Sequence, residues 1–436
     1  MKYYFKIFLL SVVIGIINVL VFLFLLPFQI IHNSGYVPQE AFTIFLILVA
    51  IPVQALILFL VAFIFKRNQL AIKITSGLFI VVCFFLLWFT SIEERQRYNN
   101  ERVYNRTEKY DYEQGISTPE GYPIKLLSES EFTVAVKGDR NPVTLLETSK
   151  VYSENWGNGG TTFKSSDEGG IVLPDSLKLY WYSFLENKYY GLTTKLNKTQ
   201  ISEYFKKGYK WDISGKLDHI IQANYDELIA GIAPGGDVVL WISSANDTKE
   251  LEIFKADLMN VKQLKEYDVV KEDEIKEVLS DTCTCEDNIQ FRKIVNNGKP
   301  IPFGIWTNKY RKKYNWKVTI NSFGQTKSEL DFSFFTGERY ELYNEDISKM
   351  KYQKQVLPDY LIYKFIKNQK KYKAYLAFDE NEIFNHFEKL AANNSSEFFD
   401  IVLNINSNLT QVTIELRSKD KTLNFEKMKS VEIYAK

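Results

Sequence analysis

Few residues in this chain carry the side chains that enzyme chemistry most often uses. Of the three His, His32, His219 and His386, no two stand at a metal-binding spacing, and no Cys-rich pair accompanies them, so no zinc ligand set emerges. No Gly-x-Ser-x-Gly elbow, Walker loop or dinucleotide loop occurs. Gly157–Gly160 is Gly-rich but lacks the Lys-Ser/Thr partner of a phosphate loop, which leaves a surface loop. No cofactor is implied. Cys283 and Cys285, in a Cys-Thr-Cys, could close a small disulfide ring outside the cytoplasm or remain inert thiols; Cys83 lies in an apolar run. Carboxylates are plentiful, so a paired-acid hydrolase stays open. Glu186 is the most interesting acid, because Trp181, Tyr189 and Tyr190 surround it in sequence. An acid among aromatics suits catalysis or sugar binding, and equally a hydrogen-bonded strand end. Trp181, Glu186, Tyr190 and Trp241 form the candidate binding set, since Trp and Tyr dominate recognition hot spots. Core packing is their commoner use.

These residues follow a very apolar beginning. The segments Ile7–Phe28, Ala41–Phe65 and about Leu70–Thr90 each reach or approach the roughly 20 residues of a membrane-crossing helix. Lys2 and Lys6 precede the first, and Lys66, Arg67 and Lys73 lie between the second and third, whereas His32–Glu40 has no Lys or Arg. The positive-inside rule then places the N-terminus in the cytoplasm and residues 91–436 outside. The expectation is a multi-pass protein of a bacterial inner membrane, residues 1–92 forming three spans. The first run is longer than a signal peptide's apolar core and has no cleavage-type site after it, so it reads as retained. Asn18 and Gln54 lie inside spans, and interhelical hydrogen bonds are expected for them. A net charge of +1 and a pI near 7.5 argue against a nucleic-acid partner.

Beyond the spans the text repeats itself. Val172-Leu173-Pro174-Asp175 matches Val356-Leu357-Pro358-Asp359, and Leu177, Leu179 and Trp181 then match Leu361, Tyr363 and Phe365 on one strand face. A helix signal follows in each copy, with Asn197 and Gln200, and Asp379 and Glu382, at capping-box spacing. Gly208 suits the end of the first helix. Three-strand meanders close the copies: Leu228–Ala233, Asp237–Ile242 and Glu250–Phe254, then Asp400–Asn404, Gln411–Leu416 and Leu423–Phe425. Leu251 and Ile253 match Leu423 and Phe425. The expected domains are 105–262 and 305–436, joined by a linker, 263–304, with a short helix at Glu272–Leu279. This predicts an α+β fold: two tandem, mostly antiparallel β domains with one helix each.

The first copy resembles a bacterial family known as domain of unknown function 2931. The residues that carry the resemblance are Tyr110–Ser117 with Pro119-Glu-Gly-Tyr-Pro123, then Asn155-Trp-Gly-Asn-Gly-Gly160, and Leu173–Leu177 with Trp181–Glu186 and Tyr189-Tyr190. Ala230–Gly236 with Val239–Trp241 completes the set. The resemblance implies an extracytoplasmic place and assigns no activity; some similar proteins look like immunity partners of secreted toxins. The function expected is a membrane-anchored binding protein for a protein or envelope ligand. A carboxylate-based envelope hydrolase and a subunit of a membrane complex are the alternatives.

Overall fold

The structure is a computed structural model. It describes residues 2–25, 51–90, 92–134, 144–145, 150–151, 156–157, 161–163, 170–279, 294, 298, 300–321, 327–392 and 397–435. Cys283 and Cys285, the loop 32–40 and most of the Gly-rich stretch lie outside the described residues. Residues up to 107 form one compact unit; 108–135 with 142–436 form another.

The first unit is helical: α1 (Lys2–Leu25), α2 (Ile51–Ile64), α3 (Gln69–Thr90) and α4 (Ile92–Arg106). Ile7, Ile14, Leu58, Ala62 and Ile72 pack inside it, and Ser11, Gln54 and Ser76 are buried with them. Large apolar side chains point outward instead, Phe5 at 65% exposure and Phe63 at 77%. Tyr3 donates its hydroxyl to the Arg67 carbonyl, and the Arg67 guanidinium stands over the rings of Tyr3 and Tyr4. The basic loop and the N-terminus therefore share one end of the bundle.

The expectation of three spans is corrected. Among the described residues one segment, Lys2–Leu20, is long and apolar enough to cross a membrane. The apolar stretch described for α2, Ile51–Ile64, is shorter than that. The apolar run within α3, Gln69–Val82, is no longer. A multi-pass inner-membrane location is therefore not supported, whereas an N-terminal anchor or signal segment is. Asn18 also departs from expectation: neither atom of its amide has a partner among the described residues, and neither does Gln54 Oε1.

The second unit is mixed α+β and built largely from antiparallel strands. Its first half contains β1 (Glu113–Ser117), the hairpin β2 (Ser176–Ser183) and β3 (Lys188–Lys195), and α5 (Lys198–Lys207). The hairpin β4 (Tyr209–Asp212) and β5 (Ile220–Ala223) follows, then β6 (Glu227–Ala233), β7 (Asp237–Ser243), β8 (Thr248–Lys255) and β9 (Asp257–Met259). α6 (Glu272–Leu279) occupies the bounds expected from sequence. The second half has β10 (Tyr314–Asn321), β11 (Ser328–Phe334), β12 (Arg339–Tyr343), the hairpin β13 (Pro358–Lys367) and β14 (Lys370–Ala377), and α7 (Glu380–Ala391). β15 (Phe398–Ile405), β16 (Val412–Arg417), β17 (Thr422–Asn424) and β18 (Ser430–Ala435) complete it.

The same order of pairings occurs in both halves. β1 runs parallel to β6, which continues antiparallel into β7 and β8; β10 runs parallel to β15, which continues into β16 and β17. In each half the VLPD aspartate accepts, through its carbonyl, the amide of the residue before the helix cap: Leu196 to Asp175, Phe378 to Asp359. Asn197 and Asp379 then cap α5 and α7 by accepting from Gln200 N and Glu382 N. Each half closes its own core. Leu177, Leu179 and Trp181 meet Leu228, Val238 and Leu240 in one; Leu361, Tyr363 and Phe365 meet Ile401, Ile414 and Leu416 in the other. Ile253 is not inward: it is 43% exposed, and Phe254 packs on the core in its place. A bulge at Leu240/Trp241 pairs Leu240 with Glu252 and Trp241 with Glu250, which shifts the phase of β8.

The halves are joined by a ten-stranded sheet running β18, β14, β13, β11, β12, β8, β7, β6, β1 and Thr161–Phe163. The joint is β8 against β12, at Thr248 and Arg339. Arg339 reinforces it by donating to Thr248 Oγ1 (3.0 Å), Ser243 Oγ (3.4 Å) and the Ser244 carbonyl.

Candidate functional site: a cleft between the two halves

Residues 300–311 run from the linker into the second half, and their side chains make the middle of the site. Thr307 donates its hydroxyl to Asp237 Oδ2 at 2.6 Å, just after the Pro234-Gly235-Gly236 turn. Lys309 Nζ and the Tyr310 hydroxyl donate to the two oxygens of Glu380, at 2.6 and 3.0 Å. The Arg311 guanidinium pairs with Glu250 of β8. Trp306, between these ties, is 6% exposed and packs edge-to-face on Tyr122 at 5.1 Å, with Trp156 at 6.5 Å.

Around this strand of chain opens a cleft of about 820 Å³. The first half contributes Pro119, Glu120, Tyr122, Trp156 and Gly157; the second contributes Phe335, Arg339, Asp359, Tyr360, Glu380 and Lys429. Trp156 is held from behind by Trp241, edge-to-face at 4.7 Å. Gly157 and Gly337 touch backbone to backbone. Both have positive φ, and a Cβ on Gly157 would sit 2.5 Å from Gly337 Cα, so only glycine fits. Tyr310 stacks on Phe335 at 5.2 Å.

Burial pushes the Asp359 carboxyl above the usual carboxylate range, against the Ser333 hydroxyl, its own and the Tyr360 backbone N–H groups and the Lys429 ammonium, which oppose the rise. Burial also raises the Tyr122 and Tyr360 phenols, and burial followed by the Glu380 charge raises Tyr310. The cleft thus offers aromatic faces, the buried Asp359 carboxyl, Glu380 held by Lys309 and Tyr310, and the side chains of Arg339 and Lys429.

The four residues singled out from sequence lie elsewhere. Trp181 is 1% exposed and stacks on buried Tyr190 at 5.3 Å. Trp241 is fully buried behind Trp156. Glu186 Oε1 accepts from the Tyr190 hydroxyl at 2.7 Å and from Gly235 N at 3.1 Å, fastening the β2–β3 hairpin to the β6–β7 turn. They hold the first half together and present no exposed recognition face. Sequence reasoning passed over Tyr122, Trp306, Arg339, Asp359 and Glu380. A signal was available for two of them: Tyr122 sits in Pro-Glu-Gly-Tyr-Pro, and Trp306 follows Pro300 and Pro302 in an otherwise polar linker.

A metal-compatible grouping occurs away from the cleft, on the sheet of the second half. Carboxylate oxygens of Glu329, Asp331 and Glu341 lie within 4.8 Å of one another. The Lys364 ammonium already bridges two of them, Glu329 and, at 2.8 Å, Asp331. That ammonium takes the place a cation would fill.

No curated protein and no solved structure matches this chain. The family model described as "Protein of unknown function (DUF2931)" matches residues 93–304, a stretch that includes the cleft residues Tyr122 and Trp156. Residues 93–304 are thus similar to the DUF2931 family of proteins of unknown function.

Proposed function

We propose that the chain is a membrane-anchored extracytoplasmic binding protein, and that the cleft between its two halves holds the ligand. The cleft itself is the observation that carries this reading. Its volume of about 820 Å³ falls in the range of small-molecule sites, roughly 300–1,000 Å³, and aromatic walls with a few convergent polar groups are what such sites use. A small ligand, or a short segment of a larger one, fits it better than a flat protein face. The two halves arise, in this reading, from duplication of one unit, with the second copy diverged to supply the far wall. The repeated strand pairings support that origin. Outward-facing apolar side chains on α1–α3 suit a lipid surround, because a water-soluble helix bundle hides them. Lys2 and Lys6 favour a cytoplasmic N-terminus. In its most specific form the ligand belongs to a secreted toxin and the protein protects its own cell.

The test replaces Tyr122 with the photoreactive benzoylphenylalanine in living cells. Tyr267, 64% exposed and not among the cleft residues, takes the same substitution as a control. One adduct that appears only from position 122, and is lost with Trp306→Ala, identifies the ligand. Equal labelling from both positions, or none, refutes the cleft as its site. A second reading, a carboxylate hydrolase, draws on the buried Asp359, whose carboxyl burial raises, sharing a cleft with Glu380. Asp359→Asn then abolishes turnover of the identified ligand while leaving its capture intact; under the binding reading there is no turnover to lose.

A further inference from the structure

We propose that residues 318–320 of β10 are a docking edge, where an extended segment of a partner protein adds as a further strand. The slot shares no residue with the cleft, so this inference stands apart from the cleft reading. The strand registers of the two halves carry it. In the first half Ile242 stands opposite Leu228, and Leu228 opposite Gln114 of β1. In the second half Leu416 stands opposite Ile401, and Ile401 opposite Val318 of β10. Ile242 and Leu416 hold the same place in their meanders, so residues 114–116 correspond to 318–320.

The two halves use this edge differently. In the first, Thr161–Phe163 lies antiparallel along it, with Gln114 opposite Phe163 and Ile116 opposite Thr161. In the second, the strand Gln353–Gln355 reaches only Tyr314, Asn315 and Trp316. Among the described residues no strand lies along 318–320 on that side. Val318 N donates there to Met350 Sδ at 3.4 Å, and a thioether is a weak acceptor. The backbone of a strand alternates between its two edges, so Ile320 turns its N–H and C=O the same way as Val318. An open row of such groups is a template for pairing with another chain.

A cavity of about 380 Å³ opens beside this edge, lined by residues 317–320 and, among others, Asn344, Ile347 and Met350. Asn344, at a φ of 47°, ties the helical turn Glu345–Ser348 to the start of β11. Its N donates to the Ser328 carbonyl at 2.8 Å, and its Oδ1 accepts from Ser328 N at 3.0 Å. The first half argues for the occupant: what the corresponding edge takes there is a short antiparallel strand. Residues directly opposite in a strand pair share a face. Those opposite Val318 and Ile320 therefore face inward, toward Ile347 and Met350, which pack on the second core. The one opposite Thr319 shares the outer face with Lys317 and Thr319, which already reach Asp400. The segment that fits is apolar, polar, apolar, held by main-chain hydrogen bonds with pockets for alternate side chains.

The probe is a library of random heptapeptides displayed on phage and selected against the full-length protein in detergent. The enriched peptides, once synthesised, should be apolar at alternate positions and should slow exchange of the Ile320 amide about tenfold or more. They should bind about tenfold more weakly to Ile320→Pro, which removes the edge donor. Ser348→Trp, which fills the cavity from an exposed position, carries the same comparison should Ile320→Pro not fold. The proposal is overturned if no peptide is enriched over Ser348→Trp, or if the peptides bind without slowing Ile320. An Ile320 amide already protected in the protein alone overturns it as well: it places the chain itself in the slot, or a second copy where protection rises with concentration.

Discussion

A carboxylate beside aromatic rings is ambiguous until its hydrogen bonds are known, and Glu186 is the example. Its position next to Tyr189 and Tyr190 suggests a site, yet its acceptor oxygen is filled by the Tyr190 hydroxyl and Gly235 N. Glu186→Ala leaves both donors buried without a partner and should cost about 1–3 kcal/mol; Glu186→Gln, which keeps an acceptor, should cost less, and urea unfolding separates the two. A larger loss without recovery in Gln would point to a role for the charge. Trp241→Ala removes a fully buried ring that braces Trp156. It should destabilise by about 3–5 kcal/mol and weaken ligand capture in the same variant, because the cleft wall loses its support. At this scale the aromatics that sequence pattern singled out, Trp181, Tyr190 and Trp241, are buried in the first half and do not line the cleft. Burial depends on partners far along the chain, such as Trp306 against Tyr122, and no local pattern encodes that meeting.

Elements were easier to read than residues. The helix caps, the VLPD hairpins, both meanders and α6 stand within a residue or two of the expected bounds, because each rests on a local signal: a cap, an alternating face or a turn. β11, β12 and the β4–β5 hairpin carried weaker signals. The hairpin's strands are short and mixed in polarity, with Asp212 rather than an apolar residue buried at its end. β11 places Glu329 and Asp331 on the face where alternation predicts solvent, yet they are only 6% and 15% exposed and pair with Lys364. The three-span expectation failed for a related reason, since a hydropathy run is longer than the apolar helix described within it. The caps make a direct test. Asp379→Ala removes the acceptor of Glu382 N and should lower stability by about 1 kcal/mol; a loss under a few tenths would show α7 held by its buried Ile383, Phe384, Phe387 and Leu390 alone.

For the molecule as a whole, the shared sheet and the buried acids set how it unfolds. Residues 108–135 and 142–436 form one compact unit, and Arg339, Arg311 and the hairpin tie its halves together. Calorimetry on the full-length protein in detergent should therefore give one transition for both halves. Burial raises the carboxyls of Asp226, Glu227, Asp247, Glu250, Asp331, Glu341 and Asp359, whereas Asp212 and Asp218 are lowered. A raised acid binds more protons in the native state than in the unfolded chain, so its contribution falls as pH rises from the unfolded value through the native one. For Glu341 that window runs from its ordinary 4.5 to about 7. The lowered acids act in the opposite sense, but below their ordinary 3.8. Burial lowers His386 below its ordinary 6.5, so it acts in the opposite sense as pH rises to that value; from about pH 6.5 to 8 the raised Glu341 remains, and Tm should fall, at roughly 2–4 °C per kcal/mol. A Tm that rises over that interval would mean the buried acids are ionised and compensated by partners.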